Sequence, residues 1–391
     1  MEEKRSVNRR NFLQGGIAAA GVPALLGLAG SLNAQGASDT VALGVIGTGG
    51  RGRALMGSAL KVPGVRVAAL CDIDTGALEK ALVGAGEHKP DTYPYYKKLL
   101  ELDGLDAVII ASPPYLHKPM VIDALDAGKH VYVEKPMCIT VHDLDAVLER
   151  SRTARGILQV GQQLRLLPKY QRLTKRLHCG EFGKIGFIRA QRYADWNGPG
   201  SRGRMKWLWS IEQSGDQILE QSVHELDIIN WLMNDHPVRV AGLGGQNMIF
   251  EPDGCNVCDN YGLTLEYPGG RQAVFSMIKY APYEIGGRII NAYAEKASID
   301  APFYGPDKIY WRGENAPEPE ETESGKVDTT LESVKHFITC IRTGRQPVCN
   351  ADIGRTAALT AMLGRKAIYE RRVVTWEELL IEGAPVRPIR G

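Results

Sequence analysis

The chain lacks a disulfide framework, a low-complexity tract and any long, strongly apolar run. Its seven cysteines (Cys71, Cys138, Cys179, Cys255, Cys258, Cys340 and Cys349) are odd in number and scattered, so paired staples do not organise the fold. Cys255 and Cys258 form a lone C-x-x-C with no second pair and no nearby histidines, and they are read as ordinary loop residues rather than a zinc site. Charge of one sign is missing too. The net charge is +2, and the first 34 residues, with four basic and two acidic side chains, account for all of it. A neutral body gives no electrostatic ground for nucleic acid or an anionic membrane surface as partner. No phosphate-binding motif for a substrate is visible. What is present is the composition of a soluble globular protein, 44% apolar and 24% charged over 391 residues, a length that suits two domains.

The N-terminus reads as an address. Arg9-Arg10 followed by Phe12-Leu13, then a mild Gly/Ala-rich stretch interrupted by Pro23, resembles the twin-arginine export signal. The stretch is too short and too weakly apolar for a spanning helix. Export to the periplasm, with no membrane association afterwards, is the expectation. The division expected is 1–38 signal and linker, 39–160 nucleotide-binding domain, and 161–391 substrate and oligomerisation domain.

Val41–Gly47 is a short apolar run with no helical period, suited to a strand buried on both faces. It leads straight into Gly47-Thr48-Gly49-Gly50-Arg51-Gly52 and a helical segment. Between a strand and a helix, G-x-G-x-x-G has a mechanical meaning. Gly47 allows the tight turn, Gly49 lets backbone approach a pyrophosphate, and Gly52 lets the helix pack close. The helix N-terminus offers free N–H groups to the phosphates. A second strand, Val65–Cys71, ends at Asp72, 25 positions after Gly47. A carboxylate there accepts from ribose hydroxyls and repels a 2′-phosphate, which favours NAD; Arg51 keeps NADP as the alternative.

Strand-like runs at 106–112, 130–135 and 157–163 alternate with helical segments at 117–128 and 142–155. That alternation predicts a doubly wound parallel sheet. Gly47, Asp72, Ser112 and Lys135 fall at strand carboxyl ends, where such sheets bind ligands. Beyond residue 164, alternating runs at 187–193, 261–267 and 272–280 predict a mostly antiparallel sheet with hairpins, one face covered by helices and one free. The segments 331–343 and 353–370 are expected to be covering helices with no chemistry of their own. The fold class is therefore α/β, a Rossmann sheet followed by an α+β domain with a large open-faced sheet.

The Gly loop, Asp72, Ser112-Pro113-Pro114 with His117, and Glu134-Lys135-Pro136 resemble the glucose–fructose oxidoreductase / inositol dehydrogenase / rhizopine catabolism (Gfo/Idh/MocA) family. Arg165 with Pro168, and Glu220-Gln-Ser-Val-His224-Glu-Leu-Asp227, extend that resemblance. It implies Lys135 and His224 as the catalytic pair. Glu220 stands where the family often has Asp, one methylene longer, and is the expected support for His224. The cofactor set it implies is Gly47, Gly49, Gly50, Arg51, Gly52, Asp72, Ser112, Pro113, His117, Glu134, Lys135 and Gln163.

Glu220, His224 and Asp227 sit at i, i+4 and i+7, on one face of a helix expected to start near Gly215. Histidine can take the proton of an alcohol, and a lysine beside the nicotinamide can stabilise the oxygen as it becomes negative. Arg165, Tyr193, Trp196 and Asp227 are the expected substrate contacts, since aromatic faces stack on sugar C–H surfaces while charged groups bind hydroxyls. No metal is expected.

These features point to NAD(P)-dependent hydride transfer at a ring hydroxyl of a sugar, sugar derivative or cyclitol, with a tightly held, recycled cofactor. A redox-neutral NAD-dependent glycoside hydrolase is the second reading, and a non-catalytic binding module the third. A homodimer or homotetramer through the open sheet face is expected.

Overall fold

The computed structural model describes residues 40–194, 205–250, 253–282, 285–322 and 325–383. The Arg9-Arg10 segment and Trp196 lie outside the described residues. The described residues form one compact unit built on two sheets.

The first sheet consists of β1 (Val41–Ile46), β2 (Val65–Cys71), β3 (Asp91–Tyr93), β4 (Ala107–Ile110), β5 (His130–Val133) and β6 (Leu158–Val160). They lie in the order β3-β2-β1-β4-β5-β6, every pair parallel. β1 and β4 are buried at every position, as their unbroken apolar runs require. Chain order reverses between β1 and β4. At that switch point the strand ends splay and open a crevice.

The second sheet has nine strands: β7 (Ile185–Tyr193), β8 (Arg239–Gly245), β9 (Asn260–Tyr267), β10 (Arg271–Ile278), β11 (Gly287–Ala294), β12 (Ala297–Pro302), β13 (Asp307–Trp311), β14 (Glu320–Thr322) and β15 (Val374–Thr375). Their order is β14-β13-β12-β11-β7-β10-β9-β8-β15. The pairs are antiparallel except β7 with β10. Along β10 the period of two shows plainly: Ala273, Phe275 and Met277 are buried, while Gln272, Val274 and Ser276 alternate with them on the other face. Helices Pro168–His178, Val223–Met233 and Ala351–Glu370 pack on the buried side. The other side carries a shallow concavity of about 580 Å³ walled by Arg189, Gln191, Tyr193, Leu243, Thr264 and Val274.

Two features depart from the sequence expectation. Helix Thr329–Thr343 does not cover the second sheet. Its Val334, Phe337 and Ile338 pack with Val41, Tyr132 and Ile157 of the first, and Phe337 meets Tyr132 edge-on at 5.8 Å. The segment expected as one helix from Gly215 is also split, into Gln217–Glu220 and Val223–Met233. Asp216, at φ +79, starts the first piece.

Candidate active site

The Gly loop has the shape of a dinucleotide cradle. Gly47 holds φ +86, and a Cβ there would lie 2.7 Å from the Ala111 backbone; one on Gly52 would lie 1.8 Å from the Gly47 carbonyl oxygen. A Cβ on Gly49 or Gly50 would meet nothing within 4 Å, so the loop backbone faces open space there. Helix Gly50–Ala59 begins with no side-chain cap and no acidic residue in its first turn. Its leading N–H groups and positive dipole end are left for a phosphate. Asp72 sits at the end of β2. One of its carboxylate oxygens accepts from Thr48 N (2.6 Å) and Thr48 Oγ1 (3.1 Å), the other from Asp74 N (2.9 Å). That oxygen keeps a lone pair for a ribose hydroxyl. The residues present fit NAD.

Arg51 is committed elsewhere. Its Nε donates to Glu134 Oε1 (2.7 Å), Nη1 to Thr330 Oγ1 (2.8 Å) and Nη2 to Gln163 Oε1 (2.5 Å). Three of its five N–H donors are therefore taken and one proton remains on each Nη; the side chain is anchored to Glu134, Gln163 and Thr330. Glu134 and Gln163 line the cavity, but they also hold Arg51, so their role is to fix the groove wall. The His117 assignment changes. His117 is fully buried, with Nδ1 2.9 Å from Pro136 O and Nε2 2.9 Å from Ser112 O. It ties the β4 loop to the β5 loop from behind. Pro113 is not part of the cavity wall, whereas its neighbours Ser112 and Pro114 are.

Lys135, Glu220 and His224 line one cavity of about 290 Å³, together with Arg51, Ser112, Glu134, Gln163 and Trp207. Lys135 comes from the end of β5, and the other two come from either side of the helix break. The Lys135 ammonium donates to Glu220 Oε2 at 2.8 Å and to the Glu220 backbone carbonyl. An ammonium has three protons; with two engaged, one remains for a ligand oxygen. Glu220 is thus the partner of Lys135 and not the support of His224: its Oε2 also accepts from Gln221 Nε2 at 2.7 Å, and His224 Nδ1 has no partner among the described residues. Burial pushes the His224 imidazole well below its ordinary range, and Lys135, Arg288, Arg192 and Arg51 around it push the same way. A neutral imidazole beside a cationic lysine is the protonation pattern of a base next to an oxygen-binding group.

Three expected substrate contacts can be placed, and none faces this cavity. Arg165 and Asp227 satisfy each other in a fork, Nε–Oδ2 and Nη2–Oδ1 both 2.8 Å. Tyr193 projects from β7 onto the open sheet face, its hydroxyl 2.8 Å from Ser276 Oγ. Trp207, Met205 and Leu208 supply the apolar wall instead. The C-terminal helices also contribute: Thr330 holds Arg51, while Arg365 donates to Gly215 O (2.9 Å) and Tyr369 donates to the buried Asp216. Those contacts pin the turn that carries Glu220. Trp207 stands two residues from Trp209 in the run Lys206-Trp207-Leu208-Trp209; nothing local marks Thr330, Arg365 or Tyr369.

Comparison with known proteins gives the same architecture. Residues 41–162 match the model of an oxidoreductase family with an NAD-binding Rossmann fold, and residues 170–300 match the GFO/IDH/MocA C-terminal domain. A myo-inositol 2-dehydrogenase of Thermotoga maritima is 24% identical over 343 residues, 86% of this chain and 99% of that protein. A glycosyl hydrolase family 109 protein of Saccharopolyspora erythraea is 33% identical over 159 residues, 39% of this chain and 34% of that protein. In shape, the chain is similar to a levoglucosan dehydrogenase solved with NADH and levoglucosan, with a TM-score of 0.76 at 16% identity, covering 86% of this chain and 99% of that one.

Proposed function

The chain belongs to the Gfo/Idh/MocA oxidoreductase family, and from that premise we propose that it is an NAD-dependent dehydrogenase acting on a ring hydroxyl of a sugar, sugar derivative or cyclitol. The observation that carries the reading is the meeting of Lys135 and His224 on one cavity at the carboxyl ends of β4 and β5. NAD, when held by the Gly47–Gly52 loop and Asp72, would supply the hydride-accepting chemistry. The protein's own part is proton handling and orientation. The neutral His224 takes the hydroxyl proton as the carbon–hydrogen bond is lost. The third Lys135 proton points at the same oxygen and stabilises its growing negative charge. Glu220 keeps that ammonium from rotating away.

The Arg9-Arg10 signal supports export to the periplasm by the twin-arginine route. Outside the cytoplasm a freely exchanging cofactor has no pool to be recycled in, which supports a retained cofactor reduced by the hydroxyl of one sugar and reoxidised on the same enzyme by the carbonyl of a second. A homodimer or homotetramer through the open face of the second sheet belongs to the same reading, supported by the half-covered side chains there. The family 109 resemblance supports the second reading, in which oxidation at one carbon activates a glycosidic bond for elimination and the hydroxyl is then restored.

The test is mass spectrometry of the natively purified protein for retained NAD(H), followed by absorbance of NADH on addition of myo-inositol, scyllo-inositol, levoglucosan and simple aldoses. Retained NAD with turnover of one of these supports the dehydrogenase. Cleavage of aryl glycosides with no net NADH would replace it by the hydrolase.

A further inference from the structure

The break between helices Gln217–Glu220 and Val223–Met233 is spanned by one side chain. Arg192, at the end of β7, donates through Nη2 to Gln221 Oε1 (2.8 Å) and through Nη1 to Glu225 Oε1 (3.0 Å). Gln221 follows Glu220 directly and Glu225 follows His224 directly, so the two prongs of the fork grip the residues adjoining the two cavity groups. We infer that Arg192 is a positioning residue for the reaction: its rigid guanidinium sets the two short helices in register, so that Glu220 and His224 present to the same cavity.

Tyr261 donates to Ser222 Oγ at the junction, and Arg365 and Tyr369 hold the turn before the first helix, but each of these grips one point, whereas Arg192 grips both sides of the break. Ser222, at the junction, makes no side-chain cap to the second helix, and the first helix is only four residues long. A planar fork with its donors at fixed angles is suited to this task; a flexible ammonium is not. The connection runs on into the site, because Gln221 Nε2 donates to the Glu220 carboxylate that holds Lys135. An unbroken chain of hydrogen bonds therefore links Lys135, Glu220, Gln221, Arg192 and Glu225.

The surroundings bear on how Arg192 can be tested. Arg288 of β11 lies directly opposite Arg192 across the strand pair and donates through Nε to the same Glu225 oxygen at 2.5 Å. Two guanidiniums share one carboxylate. Removing Arg192 leaves a one-to-one Arg288–Glu225 pair, so the fold has no new unpaired charge to bury. The charged groups around His224 are Lys135, Arg51, Arg192 and Arg288, with Glu220 and Glu225 as the acids and the buried Lys279 close to both. Loss of Arg192 subtracts one cation from this set, which eases protonation of the imidazole.

The inference rests on the dehydrogenase reading only for its kinetic readout. The experiment compares Arg192→Leu, Arg192→Lys and Gln221→Met with the full-length wild type. Histidine is labelled with 13C, and the His224 signal is identified by its loss in His224→Asn. Arg192→Leu should move the His224 titration midpoint upward by about half a pH unit or more; Arg192→Lys, which keeps the charge, should leave it within about 0.2. With myo-inositol, scyllo-inositol or levoglucosan as probe, all three variants should lose about tenfold in kcat, the cost of a misplaced group, with NAD affinity unchanged. An unmoved midpoint in Arg192→Leu, or kcat within twofold of wild type in all three, would overturn the inference. If the wild type turns over none of the probes, the dehydrogenase reading falls, and the His224 ring 13C shifts at one fixed pH decide the role of Arg192: a change in both Arg192→Lys and Gln221→Met, which leave the charge as it was, supports it, and wild-type shifts in either overturn it.

Discussion

Lys135–Glu220 and Arg165–Asp227 join the loops after β5 and β6 to the two helices on either side of the break, each with N–O distances of 2.8 Å. Their surroundings separate them. The Lys135 and Glu220 side chains keep 12% and 13% of their surface at the cavity; Arg165 and Asp227 keep 9% and 2%. The first pair uses two of three ammonium protons, so a donor is left over. The second is a closed fork in which both carboxylate oxygens are taken, and Trp231 covers the guanidinium at 4.9 Å. An incompletely satisfied pair at a cavity can do chemistry. A saturated pair in the core fixes geometry. Burial raises the Asp227 carboxyl above its usual range although Arg165 pulls it down, so the charged form depends on that partner.

Breaking the first pair is the strongest test of this contrast. Lys135→Ala should lower kcat/KM by about 10³-fold, within the span general acid–base and charge-stabilising groups supply, with the melting temperature close to wild type in a thermal scan. Breaking the second should do the reverse. Asp227→Ala strands a buried guanidinium and should cost about 3–5 kcal/mol in urea unfolding, while the pH dependence of the remaining activity stays in place. A large activity loss with unchanged stability in Asp227→Ala would erase the distinction. Smaller is the effect of Asp72→Ala. Loss of the ribose acceptor and of its repulsion should shift the NADP-to-NAD affinity ratio by about 10–100-fold toward NADP, read by fluorescence titration. Arg51, anchored by Glu134, Gln163 and Thr330, should add little to that shift.

The smallest effect sharpens the contrast through pH. Because the folded His224 titrates well below its ordinary 6.5, the unfolded chain gains a proton below about pH 6.5 that the folded chain does not. Stability from this group is whole above that pH and falls below it by up to about 1.4 kcal/mol per pH unit, until the folded titration is reached. His224→Leu should remove that slope from urea-unfolding curves taken between pH 5 and 7.

The features that proved legible in the sequence are those fixed by neighbours a few residues away. The Gly loop, the acidic end of β2 and the apolar strands each follow from local steric and burial requirements, and strand alternation with helices implies the parallel sheet. Lys135 at a strand end and Glu220 and His224 four apart are likewise local patterns, and the structure places all three on one cavity. Tyr193 shows the limit of such reasoning. Its neighbour Arg192 points to the helices while Tyr193 points to the open face, because side chains alternate along a strand; composition around them does not say which face is which. The partner of Asp227 is 62 positions away and that of Arg51 is 279 away at Thr330, beyond the reach of any local pattern.

By itself the sequence determined the buried strands that carry the nucleotide-binding half, where the phosphate-binding turn falls and which residue types stand at the strand ends, since those depend on backbone sterics and short-range hydrophobic period. Only the tertiary structure decided which charges neutralise each other. Pairing depends on distances set by the packing of the two sheets and the helices between them, and that packing left Lys135 with a donor to spare while closing Arg165 and Asp227 on each other.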